Sequence, residues 1–273
     1  MFEVRKPQST LGSALSMGEL IYHAVVRHIR KSHRNALMSI LINMLQAATF
    51  IIVFYVMFSV LGLRGVALRG DFLIYIMTGI FLFLTHTKTL GAVVGSEGPT
   101  SAMMLHGPMN TVVAILSAAL GTLYVQVLSL LVILFLYHVA ITPVVIEDPI
   151  GAFFMLLLAW FTGLAIGVVF LSLKPWFPSF VNIFTTVYMR ANMIASGKMF
   201  VANTLPSYML AMFDWNPLFH CIDQSRGYAF INYFPRHSSV TYPLYFGLAF
   251  LMIGLMMEFF TRKNLSASWS ARS

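Results

Sequence analysis

The sequence predicts an all-α polytopic membrane protein with about six transmembrane helices, and two observations carry that expectation. From Gly98 to Ile146 the chain runs 49 residues without an Asp, Glu, Lys or Arg. Its composition is 59% hydrophobic and 10% charged, with a mean hydropathy of +0.82, well outside the range of soluble domains. In hydrocarbon every backbone amide must pair within the chain, which leaves helices of roughly 20 apolar residues or closed barrels. Barrel strands alternate apolar and polar side chains, whereas Leu128 to Tyr137 (LSLLVILFLY) is apolar all round, so the segments are read as helices.

The elements follow in order. Ahead of the first span, Leu20, Ile21, Ala24, Val25, His28 and Ile29 recur at helical spacing, while His23, Arg27, Arg30 and Arg34 form a basic stripe on another face. Ser16 and Glu19 have the spacing of a capping box at its start. This predicts an amphipathic helix lying in the membrane interface, with Arg27, Arg30, Lys31 and Arg34 toward anionic headgroups. The spans are then expected at Ala36 to Leu63, Phe72 to about Leu90, Thr111 to Ile141, Pro149 to Leu173, Ser179 to Phe200, and Val240 to Phe259. Lys88 has to reach past the end of the second span to the headgroups, and Glu258 is expected at headgroup level beside Arg262 and Lys263.

Lys and Arg set the orientation. With both ends in the cytoplasm, 11 of the 17 basic residues fall inside, which favours N-in and C-in. The net charge of +8 is explained by that clustering beside apolar segments, so no nucleic-acid partner is inferred. The expected organisation is a cytoplasmic N-terminus (1–35), one transmembrane domain (36–260) and a cytoplasmic tail (261–273). Cys221 is the only cysteine, so no internal disulfide can form.

Two long connections hold the candidate functional residues. In 91–110, Gly98-Pro99 and Gly107-Pro108 bracket Thr100 to His106, outlining a short cytoplasmic helix that either seats on a soluble partner or is a passive loop. In 198–239, Ser207 to Phe213 and Phe219 to Ile231 are too short to cross, which predicts re-entrant or interfacial helices on the outer side. Its aromatics, among them Tyr208, Trp215, Phe219, Tyr228, Tyr233 and Phe234, form either an anchoring belt or a stacking surface for sugar rings. Arg190, about 11 residues into the fifth span, is expected to face the bundle interior or a wet cavity, either meeting an anion in transit or pairing structurally.

Enzymatic chemistry has little support. The eight His residues have no H-E-x-x-H or similar spacing, and Asp214 and Asp223 have no base nearby, so no catalytic or metal-ligating residue is assigned. No G-x-x-x-x-G-K-[ST] loop is present to bind nucleotide phosphates.

Ser196 to Pro206 (SGKMFVANTLP), followed by Trp215-Asn216-Pro217-Leu218 and Arg226-Gly227-Tyr228, resembles the region between the fifth and sixth spans of permease subunits of type 2 ABC exporters, closest to the capsular polysaccharide branch. Met77-Thr78-Gly79 and Leu105-His106 fit the same branch, so the resemblance covers nearly the whole chain. It implies a homodimeric permease for lipid-linked polysaccharide, driven by separate ATP-binding cassette subunits that hold ATP and Mg, with no cofactor bound by this chain. A periplasmic adaptor and an outer-membrane polysaccharide export protein are the further partners it implies. Glu97 to Pro108 becomes the coupling helix, with Glu97, Thr100, His106, Gly107 and Pro108 at the ATPase contact. The chain departs from the family at Arg190 and Lys198, where uncharged residues are usual, so no family role carries to those two. They join Trp215, Asn216, Arg226 and Tyr228 as substrate-pathway candidates. The alternatives are a type 2 permease for another cargo, such as a lipid, haem or drug, and a polytopic glycan-processing enzyme.

Overall fold

The computed structural model describes residues 10–32, 36–62, 70–96 and 111–270. Its helices are α1 (Thr10–Ser32), α2 (Ala36–Val60), α3 (Phe72–Val94), α4 (Thr111–Ala140), α5 (Pro149–Leu173), α6 (Pro178–Ala195), α7 (Ser207–Leu210), α8 (Pro217–Ala229) and α9 (Thr241–Ser270), with a 3-10 turn at Ala202–Thr204. There is no strand among the described residues. The molecule is an all-α polytopic membrane protein.

Among the described residues five helices are long and apolar enough to cross a bilayer: Met38–Val60 within α2, α3, α4, α5, and Thr241–Asn264 within α9. The sixth expected span differs. α6 stops at Ala195 rather than Phe200 and carries Ser179, Asn182, Thr185, Thr186, Arg190 and Asn192 within its 18 residues. At 1.5 Å per residue it is about 27 Å long, just the depth of a hydrocarbon core.

Hydrogen bonds nevertheless fix where α6 runs. At one end of the bundle the Lys174 ammonium donates to the Val94 carbonyl (3.0 Å), the Trp176 indole to Thr261 Oγ1 (2.9 Å), and Thr261 in turn to the Ser172 carbonyl (3.1 Å). At the other end Asp71 accepts from Tyr137 and Thr142, and the Asp148 N–H donates to the Tyr228 carbonyl (2.9 Å). α6 starts beside Trp176 at the Lys174 end and finishes tied to Asn216, whose side chain caps α8 toward the Asp71 end. It therefore runs from the Lys174 end of the bundle toward the Asp71 end. The last turns of α9 that hold Thr261 share the Lys174 end with Val94.

Local chemistry sets the helix starts. Asp71 caps α3 by accepting the Leu73 N–H (2.9 Å), and Asp148 caps α5 by accepting from Ile150 (3.1 Å) and Gly151 (2.9 Å) ahead of Pro149 at the first turn. α1 begins at Thr10, so Ser16 and Glu19 lie inside the helix and do not form its capping box. α9 continues to Ser270, past the expected end of the sixth span at Phe259.

α3 and α5 form the centre: 83% and 72% of their most apolar stretches are buried, against 17–28% in α2, α4 and α9. The outer helices leave Leu45, Ile52, Val53, Leu131, Phe135, Met252 and Met256 facing outward, where lipid tails solvate them as well as another leucine would. Association in that solvent depends on close packing, and α5 supplies it with glycine. A Cβ at Gly163 would sit 2.5 Å from the His86 carbonyl oxygen and one at Gly167 2.9 Å from Val93 Cβ, so α3 and α5 touch backbone to backbone.

Polar residues inside the bundle are satisfied across helices. His86 on α3 contacts the Ala159 carbonyl and Thr162 Oγ1 through Nδ1, and the Tyr188 hydroxyl on α6 through Nε2, each at 3.1 Å. The carbonyl can only accept, so Nδ1 carries the proton, Nε2 accepts, and Tyr188 donates. Lys88 does not reach for headgroups: it donates to Asn43 Oδ1 on α2 within the helix bundle. Glu258 is likewise buried, at 7% exposure, one turn before Thr261. The amphipathic pattern of α1 is realised as a half-buried face of Ile21, Ala24, Val25, His28 and Ile29, with Arg27 exposed on the other side. That face packs partly on α4, where His28 lies 3.1 Å from the position of a Cβ on Gly121.

Candidate functional site

The segment from Ser196 to Ser239 folds as a cap over the Asp71 end of the bundle, built around a buried cation. After α6 the chain turns at Gly197, whose φ of +76° favours glycine and whose Cβ position would lie 2.7 Å from the Phe219 ring. This turn exposes the carbonyls of Gly197, Lys198 and Phe200 to a single donor. Arg226, in the last turn of α8 and 1% exposed, gives Nη1 hydrogens to Gly197 (2.9 Å) and Phe200 (2.6 Å) and an Nη2 hydrogen to Lys198 (2.9 Å). Its guanidinium carbon lies 4.2 Å from the centroid of the Tyr75 ring on α3. A planar fork with five donors suits three converging carbonyls and an aromatic face, and an ammonium would not.

Lys198 points the opposite way, into the bundle. Its Nζ lies 3.4 Å from the centroid of the Phe83 ring, 5.2 Å from Phe54 and 5.4 Å from Phe50, and has no hydrogen-bond partner among the described residues. The ring faces supply the negative potential that a charged amine needs there. Gly79 makes room for it, since a Cβ at Gly79 would lie 2.8 Å from Lys198 Cβ.

Asn216 ties α6, the turn and α8 together. Its Oδ1 accepts the Leu218 N–H (3.1 Å), and its Nδ2 donates to Asn192 Oδ1 (2.9 Å) and the Ala195 carbonyl (3.0 Å). Asp223 accepts from the Tyr233 hydroxyl and from Ser238 Oγ (2.6 Å). Burial, with the Asp223 carboxylate beside it, pushes the Tyr233 phenol well above its usual range. His220 Nδ1 accepts the Ser239 N–H (3.1 Å), so Nε2 is the nitrogen that donates to the Asp214 carbonyl (2.6 Å). Burial holds this imidazole below its ordinary 6.5, keeping it neutral.

The aromatics of the cap divide in two. Phe219, Phe230 and Tyr233 are buried and join the core with Leu218 and Ile222, while Tyr208, Trp215 and Phe234 are 71%, 59% and 75% exposed. Trp215 uses its indole N–H on the Met212 carbonyl, and Tyr242 donates to the Trp215 carbonyl (2.7 Å). Tyr228 is half-buried against Gly151, its carbonyl holding the Asp148 N–H.

Of the substrate-pathway candidates, the fold buries Lys198, Asn216 and Arg226, each with partners of its own, and leaves Trp215 on the cap surface. Arg190 stands apart, exposed on α6 in the same flank as Ile183, Val187 and Ile194 rather than turned into this bundle. Arg27 is exposed on α1. The side chains of Arg30, Lys31 and Arg34, and the expected coupling residues Glu97, Thr100, His106, Gly107 and Pro108, lie outside the described residues. Sequence reasoning passed over the His86–Tyr188 pair and the contact of Lys88 with Asn43. The signal available for the second was a lone Asn in one span and a lone Gln126 in another.

No family model matches the chain. The polysialic acid transport protein KpsM of Escherichia coli is 26% identical to it over 196 residues, which cover 68% of this chain and 72% of that protein.

Proposed function

We propose that this chain is the membrane-spanning permease subunit of an ATP-driven exporter that moves capsular or related polysaccharide, as a lipid-linked chain, across the inner membrane. The carrying observation is the similarity to the polysialic acid transport protein along two-thirds of both chains, on a helical bundle with five helices long and apolar enough to cross a bilayer among the described residues. In this reading the chain is a homodimer with separate ATP-binding subunits that supply ATP and Mg, and Glu97 to Pro108 seats on them. Both ends lie in the cytoplasm, and the cap formed by 196–239 faces the periplasm, toward adaptor and outer-membrane export proteins.

Arg190 supports the dimer. A charge at mid-depth on a lipid-facing helix costs several kcal/mol, and α6 carries Arg190 exposed. A second copy laid against α6, with a hydrated polymer path between the two, gives the guanidinium water and anionic or hydroxyl partners. Trp215, Tyr208 and Phe234 then offer flat faces for sugar rings at the exit.

The test is co-purification and reconstitution. The chain should bring down an ATPase subunit, and proteoliposomes of the pair should couple ATP hydrolysis to movement of lipid-linked glycan. Coupled movement of phospholipid or haem in place of glycan would overturn the cargo assignment, and hydrolysis with no cargo moved would overturn the exporter reading.

A further inference from the structure

α1, α2, α3 and α4 enclose a cleft of about 270 Å³ lined by His28, Ser39, Asn43, Lys88, Ala92 and Gln126, among others. It lies on the Lys174 side of the bundle, since Gly95, just beyond Val94, also lines it. Lys88 donates to Asn43 Oδ1, and Gln126 Nε2 reaches the same oxygen at 3.4 Å. The Asn43 Nδ2 is committed to the Ser39 carbonyl (2.8 Å). Among the described residues the ammonium has one neutral amide oxygen as its acceptor, and no carboxylate lines the cleft. An ammonium that faces a polar cleft with no carboxylate among those residues is a site for an anion.

The surroundings say what kind of anion. The volume is just below the roughly 300–1,000 Å³ of small-molecule pockets, enough for a phosphate with its ester substituent and too small for a chain of sugars. Beside the polar residues, α2 exposes Met38, Leu41, Ile42 and Leu45 as a continuous apolar strip. A ligand with a phosphate at one end and acyl chains at the other matches both surfaces.

We propose that this cleft binds a phosphate group of an anionic phospholipid, with Lys88 as the charged ligand and Gln126 and Ser39 as hydrogen-bond donors, while the acyl chains lie along α2. The site belongs to each copy of the chain and does not depend on the cargo.

Native mass spectrometry of the full-length chain tests it, with phosphatidylglycerol, phosphatidylcholine or inorganic phosphate as the probe. Phosphatidylglycerol should stay bound in preference to phosphatidylcholine. Lys88→Gln should weaken it about tenfold, the worth of one charged hydrogen bond, and Lys88→Arg should retain it. Ala92→Leu fills the cleft without removing a polar group and should displace the lipid even if Lys88→Gln does not fold. Saturable binding of inorganic phosphate that is lost in the same variants, without retention of phosphatidylglycerol, would keep the phosphate site and overturn its lipid source. Equal retention of both lipids, or adducts unchanged by Lys88→Gln and Ala92→Leu, would overturn the proposal.

Discussion

The Tyr188 hydroxyl donates to His86 Nε2 across 3.1 Å, joining the sparsely packed α6 to the central helix α3. Because Nδ1 of the same ring is held by Ala159 and Thr162 on α5, one imidazole links three helices. Tyr188→Phe leaves Nε2 buried without a donor. We expect a loss of about 0.5–2 kcal/mol, the range found for hydrogen bonds between membrane helices. Paired with His86→Leu in a double-mutant cycle of SDS unfolding, the two losses should be less than additive, and full additivity would mean the bond contributes nothing.

Arg226 should not be replaceable by lysine. Arg226→Lys keeps the charge but cannot hold the Gly197, Lys198 and Phe200 carbonyls at once, nor lie flat on Tyr75, so a loss of about 2–4 kcal/mol is expected. Hydrogen exchange should rise first in 197–204. A variant with wild-type exchange there would show that the turn holds itself.

The cap should loosen in acid. His220 has its folded pKa depressed below the ordinary 6.5, and a base held neutral in the fold contributes stability that is intact above that value. Protonation as pH falls below 6.5 costs the Ser239 N–H its acceptor. The protection factor of the Ser239 amide, its exchange rate corrected for the intrinsic rate at each pH, should therefore fall below pH 6.5 and stay flat above it, and His220→Gln should abolish the change. A protection factor that falls on the alkaline side instead would contradict the sign.

A crossing by α6 is checked by labelling. Single cysteines at Met17 and Arg262 should be modified from the same face of the membrane and one at Glu147 from the opposite face. If Met17 and Arg262 report opposite faces, α6 does not cross.

Where the sequence was legible, local chemistry set the element. α5 runs from Pro149 to Leu173 as expected because Asp148 caps it, Pro149 starts it and Pro175 follows its end. α6 was read five residues too long, because its end is fixed by a left-handed Gly197 and by Asn216, 21 positions beyond Ala195, neither of which has a periodic signature. Lys88 was misplaced for the same reason: the oxygen it binds belongs to Asn43, 45 residues upstream. A lysine near a span end looks alike whether it snorkels outward or turns in. Lys198 and Arg226 were visible as charges in an apolar setting, but that one enters a phenylalanine box and the other gathers carbonyls depends on residues more than a hundred positions away, Phe50, Phe54, Tyr75 and Phe83. Arg190 shows the same limit of pattern reading: mid-helix depth is encoded along the sequence, but which flank it occupies is decided by how α6 docks on α3 and α5.

Cys221, on α8, is fully buried among the cap and core, and that burial pushes its thiol far from ionisation. The molecule thereby carries its own clock for the cap. A membrane-permeant maleimide can reach this sulfur only during excursions that lift α8 off α3 and α5, so the rate of its modification counts those openings. No probe need be engineered, and cargo, nucleotide state or a partner chain can each be scored by whether it speeds or slows the count.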